Sequence, residues 1–280
     1  MSLLAEPLNI VGIQRFDRIQ IGEALVHSCQ FEEALDAITR IAVEGGPPSY
    51  VVTPNAQHIV LLAGDRYLRQ IYSEAALVLP DGISLVHASR LLGGRIPCRV
   101  TGVDLFEALC ARAAFEGLSV FLLGGRPGSA ERTAMNLQSR YSGLIVSGIC
   151  CPPFGFEKDE SQQRKVEDCI LAAKPDLLFV GLGAPKQEYW MHRYARTLGV
   201  PVSMGVGGSF EMVGGAVRRA PAWIRNLGCE WLHRLLSEPN RMWRRYLIGN
   251  LQFVFIVLLQ KSISTTPELK SGVSQQLLRP

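Results

Sequence analysis

Leu177-Leu178-Phe179-Val180-Gly181-Leu182-Gly183-Ala184-Pro185-Lys186-Gln187-Glu188 is an apolar run that ends in glycines and passes into a proline-led, charged segment. An apolar stretch without polar alternation predicts a strand covered on both faces. Pro185, placed near a first helical position, predicts a helix over 186–198. The same unit recurs outward along the chain. Further strands are expected at 50–53, 76–79, 119–123, 144–149 and 200–206, with helices at 31–43, 83–92, 104–115, 130–141 and 162–173. Strand alternating with helix predicts an α/β fold: a Rossmann-like, mostly parallel sheet flanked by helices. With 280 residues, 48% of them hydrophobic, the chain can bury a substantial core.

Near residue 215 the rhythm changes. From Arg218 to Arg245 seven arginines stand against two acids, interleaved with Trp223, Trp231 and Trp243. The expected division is an α/β core over 1–215, an Arg-rich helical appendage over 216–262 and a polar, flexible tail over 263–280. Cationic helices with aromatic anchors suit an anionic membrane surface. Packing of the appendage within the chain or in a homo-oligomer is the alternative, and nucleic acid is not expected because no recognisable module for it is present. The apolar run 247–259 is broken by Gly249, Asn250 and Gln252 and is too short to span a bilayer. Residues 1–16 lack a secretory signal, and the seven cysteines include no C-x-x-C pair, so reduced thiols in the cytoplasm are expected.

Polar residues collect where the expected strands run out, which is where open α/β sheets bind ligands. Asp81, in Leu79-Pro80-Asp81-Gly82, is placed either to accept a proton from a hydroxyl nucleophile or to cap the helix that follows. Thr53 and Asn55 end the preceding strand and can hydrogen-bond sugar hydroxyls beside it. Gly124, Gly125 and Arg126 join a strand to a helix and offer amides and a cation to a diphosphate; a tight packing turn is the plain alternative. Lys186, Gln187 and Glu188 start a helix where a cation opposes the helix dipole, which hints at an anionic ligand. Gly207 and Gly208 let a ligand approach the backbone. Arg99 can face the crevice, whereas Asp104 reads first as a helix N-cap and second as a ligand contact. No D-x-D triplet or metal-spaced Cys/His cluster occurs, so neither a metal nor a cofactor is expected.

These blocks, together with Arg219-Ala220-Pro221, Glu230-Trp231, Arg234, Glu238-Pro239, Arg241 and Arg245-Tyr246, resemble the WecG/TagA/CpsF glycosyltransferases, glycosyltransferase family 26, from about residue 19 to 255. The resemblance implies an inverting transferase that moves a sugar from a UDP-sugar to a polyprenyl-diphosphate-linked saccharide at the inner face of the cell membrane. It implies Asp81 as general base, Thr53 as a sugar contact and Gln187 near the nucleotide. It also implies that the appendage, with Arg218, Arg219, Arg234, Arg241 and Arg245, completes the site and associates with the membrane. A nucleotide-dependent oxidoreductase and a non-catalytic membrane scaffold are the rival classes. The first lacks an early G-x-G-x-x-G with its downstream acid.

Overall fold

The computed structural model describes residues 16–221 and 247–265, with 223, 224, 230, 232, 235 and 243 between them. An antiparallel hairpin, β1 (Asp17–Ile21) and β2 (Ala24–Ser28), leads into helix α1 (Phe31–Glu44) and strand β3 (Ser49–Val52). Helices α2 (Ala56–Gly64) and α3 (Arg66–Glu74) precede β4 (Leu77–Val78), and α4 (Ile83–Leu91) and α5 (Gly102–Glu116) precede β5 (Ser119–Gly124). The chain continues through α6 (Ser129–Arg140), β6 (Ile145–Cys150), α7 (Glu160–Ala173), β7 (Leu177–Gly181), α8 (Lys186–Leu198), β8 (Val202–Gly205) and α9 (Ser209–Val213). A last described helix, α10, spans Gly249–Thr265. It runs past residue 262, where the polar tail was expected to begin.

Strands β3 to β8 form one parallel sheet in the order β4-β3-β8-β7-β5-β6. Its apolar runs are continuous because both faces are covered. In β7, Leu178 and Val180 pack into one core, while Leu177 and Phe179 pack into the core on the other face. Each fully buried side chain of this size stabilises the fold by about 1.5–3 kcal/mol. Phe106 of α5 meets Phe179 edge-on at 4.6 Å and Phe210 of α9 at 5.6 Å, which ties both helices to the sheet.

Helix α10 packs on the core that holds Leu178 and Val180. Phe253 and Val257 are buried with Ile59 and Ile21 in one cluster, and the Gly22 N–H donates to Gln260 Oε1 at 2.8 Å. Leu251, Phe255 and Leu259 point to solvent on its other side. All six described cysteines are free. Burial pushes the Cys29 thiol up to about 12 and Cys150 to about 11, which keeps both protonated.

The hairpin docks on the sheet through His27, whose Nδ1 accepts from the Val78 N–H at 2.9 Å. Burial, and then the nearby Arg18 charge, lower its pKa from 6.5 to about 4. A lowered histidine pKa means that the unfolded chain binds the extra proton first, so this contribution is complete above pH 6.5 and declines as pH falls toward 4. Unfolding in urea should show a loss of roughly 2–3 kcal/mol across that window. A His27→Asn variant should show a flatter profile; an unchanged slope would remove His27 as its source.

Candidate active site

Parallel strands place all their carboxyl ends on one edge, and the loops there enclose a cavity of about 1080 Å³. Thr53 and Asn55 reach it from the end of β3, and Asp81 from the end of β4. Asn55 caps α2 by accepting the Gln57 N–H at 3.0 Å. The Asp81 N–H donates to Pro54 O at 2.9 Å, which fixes the two loops side by side.

The Asp81 side chain does not cap α4, whose N-cap is Gly82. Its Oδ1 instead accepts the N–H of Gly102 at 3.0 Å, at the first residue of α5, where a helix start favours an anion. That helix is capped by Thr101, which accepts the Asp104 N–H at 3.2 Å. The capping role expected of Asp104 therefore falls to Thr101, and α5 begins earlier than its apolar pattern suggested. Asp81 is thus held by backbone on both sides of the cavity floor.

The β5 end supplies a glycine turn. Gly124 has φ +94°, and a Cβ there would lie 2.8 Å from Gly181 O, so only glycine fits beside β7. Gly125 and Arg126 line the cavity, and the Arg126 N–H is held by Glu211 Oε1 at 2.8 Å. Opposite, Gln187 Oε1 accepts the Gly207 N–H at 3.0 Å, and both residues line the cavity with Gly208. A second cavity of about 710 Å³ adjoins the first along Gly125, Arg126 and Leu182.

Arginines form part of the rim. Arg99 Nη1 pairs with Glu230 Oε2 at 3.0 Å, and Arg219 pairs with Asp104 Oδ1 at 2.6 Å and Glu230 Oε1 at 3.4 Å. Burial disfavours the Arg219 charge, but its bonds to Asp104 and Glu230 outweigh that and raise its pKa. Arg219 Nη2 is buried without a hydrogen-bond partner among the described residues. Arg218 and Arg219 line the same cavity as Asp81.

Four expected contacts lie elsewhere. Asp104 holds Arg219 and does not line the cavity. Lys186 turns into the second cavity, where it pairs with Glu157 and stands 4.3 Å over the Phe154 ring. Glu188 is 1% exposed, beneath the floor. Gly124 borders only the second cavity. Arg234, Arg241 and Arg245 lie outside the described residues. The structure adds Gln57, Ser84, His87 and Glu211 to the lining, none of which a strand-end pattern marks. Among the described residues, no group of three or more His, Cys, Asp or Glu side chains stands ready for a metal ion.

This geometry can be set beside known proteins. The sequence profile of the glycosyl transferase WecG/TagA/CpsF family matches residues 19–266. The chain belongs to that family. It is therefore a glycosyltransferase, and the oxidoreductase reading gives way. Two relatives carry the name N-acetylglucosaminyldiphosphoundecaprenol N-acetyl-beta-D-mannosaminyltransferase. The one from Bacillus spizizenii is 34% identical over 229 residues, covering 81% of this chain and 86% of the relative. The one from Bacillus subtilis strain 168 is 34% identical over 197 residues, covering 70% of this chain and 74% of the relative.

For this family member, Gly124→Ala tests the turn directly. A side chain at that φ, pressed against Gly181 O, should lower stability by roughly 1–3 kcal/mol in urea unfolding. A change within about 0.5 kcal/mol, the usual range for a neutral surface substitution, would show that the turn tolerates a Cβ.

Proposed function

We propose that this glycosyltransferase moves an N-acetylmannosamine-type sugar from a UDP-sugar to a polyprenyl-diphosphate-linked sugar, in one inverting step with Asp81 as general base. The observation that carries this reading is Asp81 itself, fixed at the start of α5 and facing a cavity whose two ends differ in chemistry.

One end is polar, with Gly125, Arg126, Gln187, Gly207 and Gly208; the other is apolar, with Ile83, Ala88 and Leu91 of α4 facing Val254, Val257 and Leu258 of α10. The polar end supplies amides, a guanidinium and the approach to the α6 N-terminus, which suits the nucleotide diphosphate. The apolar end suits the first units of a prenyl chain, and the same helix α10 carries Leu251 and Phe255, which are 72% and 67% exposed. No helix among the described residues is long and apolar enough to cross a membrane. The exposed side of α10 and the arginine-rich segment before it support contact with an anionic cytoplasmic membrane face, where the lipid-linked acceptor would be met.

In the reaction, the acceptor hydroxyl gives its proton to the Asp81 carboxylate while its oxygen bonds to the anomeric carbon. The bond from that carbon to the diphosphate oxygen breaks on the opposite face, and UDP carries away the electron pair. The transition state resembles an oxocarbenium ion, as in glycoside hydrolysis. Thr53 and Asn55 are placed to orient the sugar. The leaving charge falls on Arg126 and the glycine-turn amides, with Arg99 and Arg219 near the acceptor's own diphosphate. No step calls on a metal.

Asp81→Asn should cut transfer by about 10²–10⁴-fold while leaving UDP affinity unchanged, measured by UDP release and by calorimetry. Substantial residual turnover would remove Asp81 from the base role. Val254→Glu, a charge on an exposed position of the apolar end, should raise KM for a long-chain acceptor and leave UDP affinity alone. An unchanged KM would place the lipid elsewhere.

A further inference from the structure

Glu188 is a carboxylate with no evident reason to be buried. It sits one residue after Gln187 on α8, does not line the cavity, and is 1% exposed. A buried carboxylate persists only where its surroundings use it. Its Oε1 accepts the Gln187 Nε2 amide at 3.0 Å and lies 3.7 Å from His58 Nε2. The other edge of that imidazole, Nδ1, accepts the Asn55 N–H at 3.2 Å. Gln187 in turn holds the Gly207 N–H through its own Oε1.

One carboxylate therefore joins two walls of the cavity. Through Gln187 it reaches the β8 turn on the nucleotide side, and through His58 it reaches Asn55 beside Thr53 and Asp81. The space around Gln187 is cut to fit this arrangement, because a Cβ on Gly205 would lie 2.6 Å from its Nε2. An amide oriented by a fixed acceptor can present only one face to Gly207. Without that acceptor the amide can rotate, and the Gly207 N–H loses its partner.

We propose that Glu188 is a positioning residue for sugar transfer: it sets the Gln187 amide, and through His58 the Asn55 loop, so that both sides of the cavity keep one geometry. It touches neither substrate. This rests on the transferase reading for its kinetic consequence, while its structural content stands apart from that reading. Misplacement of a binding group by about an ångström can cost up to about 10²-fold in rate.

The test is a double-mutant cycle on the full chain with Glu188→Ala and Gln187→Ala, scored by kcat/KM in UDP release. A positioning role predicts that the double variant is no worse than the poorer single variant. Fully additive losses would overturn the proposal. Independently of turnover, the Gln187 side-chain amide, assigned by its absence in Gln187→Ala, should be slow to exchange with solvent in the wild-type protein and fast in Glu188→Ala. Equal protection in the two would overturn it as well. If Glu188→Ala does not fold, Glu188→Gln keeps one oxygen for the Gln187 amide and should recover most of kcat/KM with a native melting temperature; a fully folded Glu188→Gln without activity would contradict the proposal. Wild-type protein that protects the amide but releases no UDP would instead contradict the transferase reading and leave the positioning geometry standing.

Discussion

Parallel alignment of the six central strands is the constraint on which the rest of the molecule depends. A parallel ladder forces every crossover through a helix and brings every carboxyl end to the same edge. Here that edge receives Thr53 and Asn55 from β3, Asp81 from β4, the glycine turn from β5, Gln187 after β7 and Gly207 after β8. The two cores that hold the alignment lie on opposite faces of the sheet, and the Phe106, Phe179 and Phe210 contacts link one of them to the loops above. Stability and site are built from the same strands. Leu178 and Val180 hold the sheet, and a few residues on, Gln187 faces the cavity.

Electrostatics then divides the cavity. Asp81 is placed at the α5 start, and two acids near the rim are matched by arginine: Asp104 and Glu230 to Arg219, and Glu230 to Arg99. Pairing of this kind keeps a crowded set of charges soluble in one fold, since an unpaired buried ion costs several kcal/mol. The cations that would meet a diphosphate are thereby held in place before a ligand arrives, which is the condition for electrostatic stabilisation without reorganisation. At the far end α10 supplies apolar side chains to the cavity and an apolar face to solvent.

Much of this was legible in the residues. The strands announced themselves because burial on both faces removes polar alternation, and Asp81, Thr53 and Asn55 were visible as polar groups at strand ends. Other elements were not. The hairpin at 17–28 is short and half polar, and α2 is apolar all round, so neither shows the period that marks its type. Lys186, Gln187 and Glu188 looked like one cluster, yet consecutive helical residues point about 100° apart, and the three went to the second cavity, the main cavity and the core. Asp104 lost the cap to Thr101, which sits three residues earlier and accepts the N–H of Asp104 itself. Its actual partner, Arg219, is far away in sequence and belongs to no local pattern. The family match and the relatives establish the family and the reaction class, whereas the roles of individual side chains are proposed from their placement.

The account turns on a hydroxyl delivered to Asp81 across the cavity from the departing diphosphate. A structure of the ternary complex with UDP and a short-chain prenyl-diphosphate-linked sugar measures this directly. The account predicts an acceptor hydroxyl about 2.6–3.2 Å from an Asp81 carboxylate oxygen, UDP beside Gly125 and Arg126, and the prenyl chain along α10. An acceptor bound with every hydroxyl turned away from Asp81, or with its lipid at the glycine turn, would contradict it.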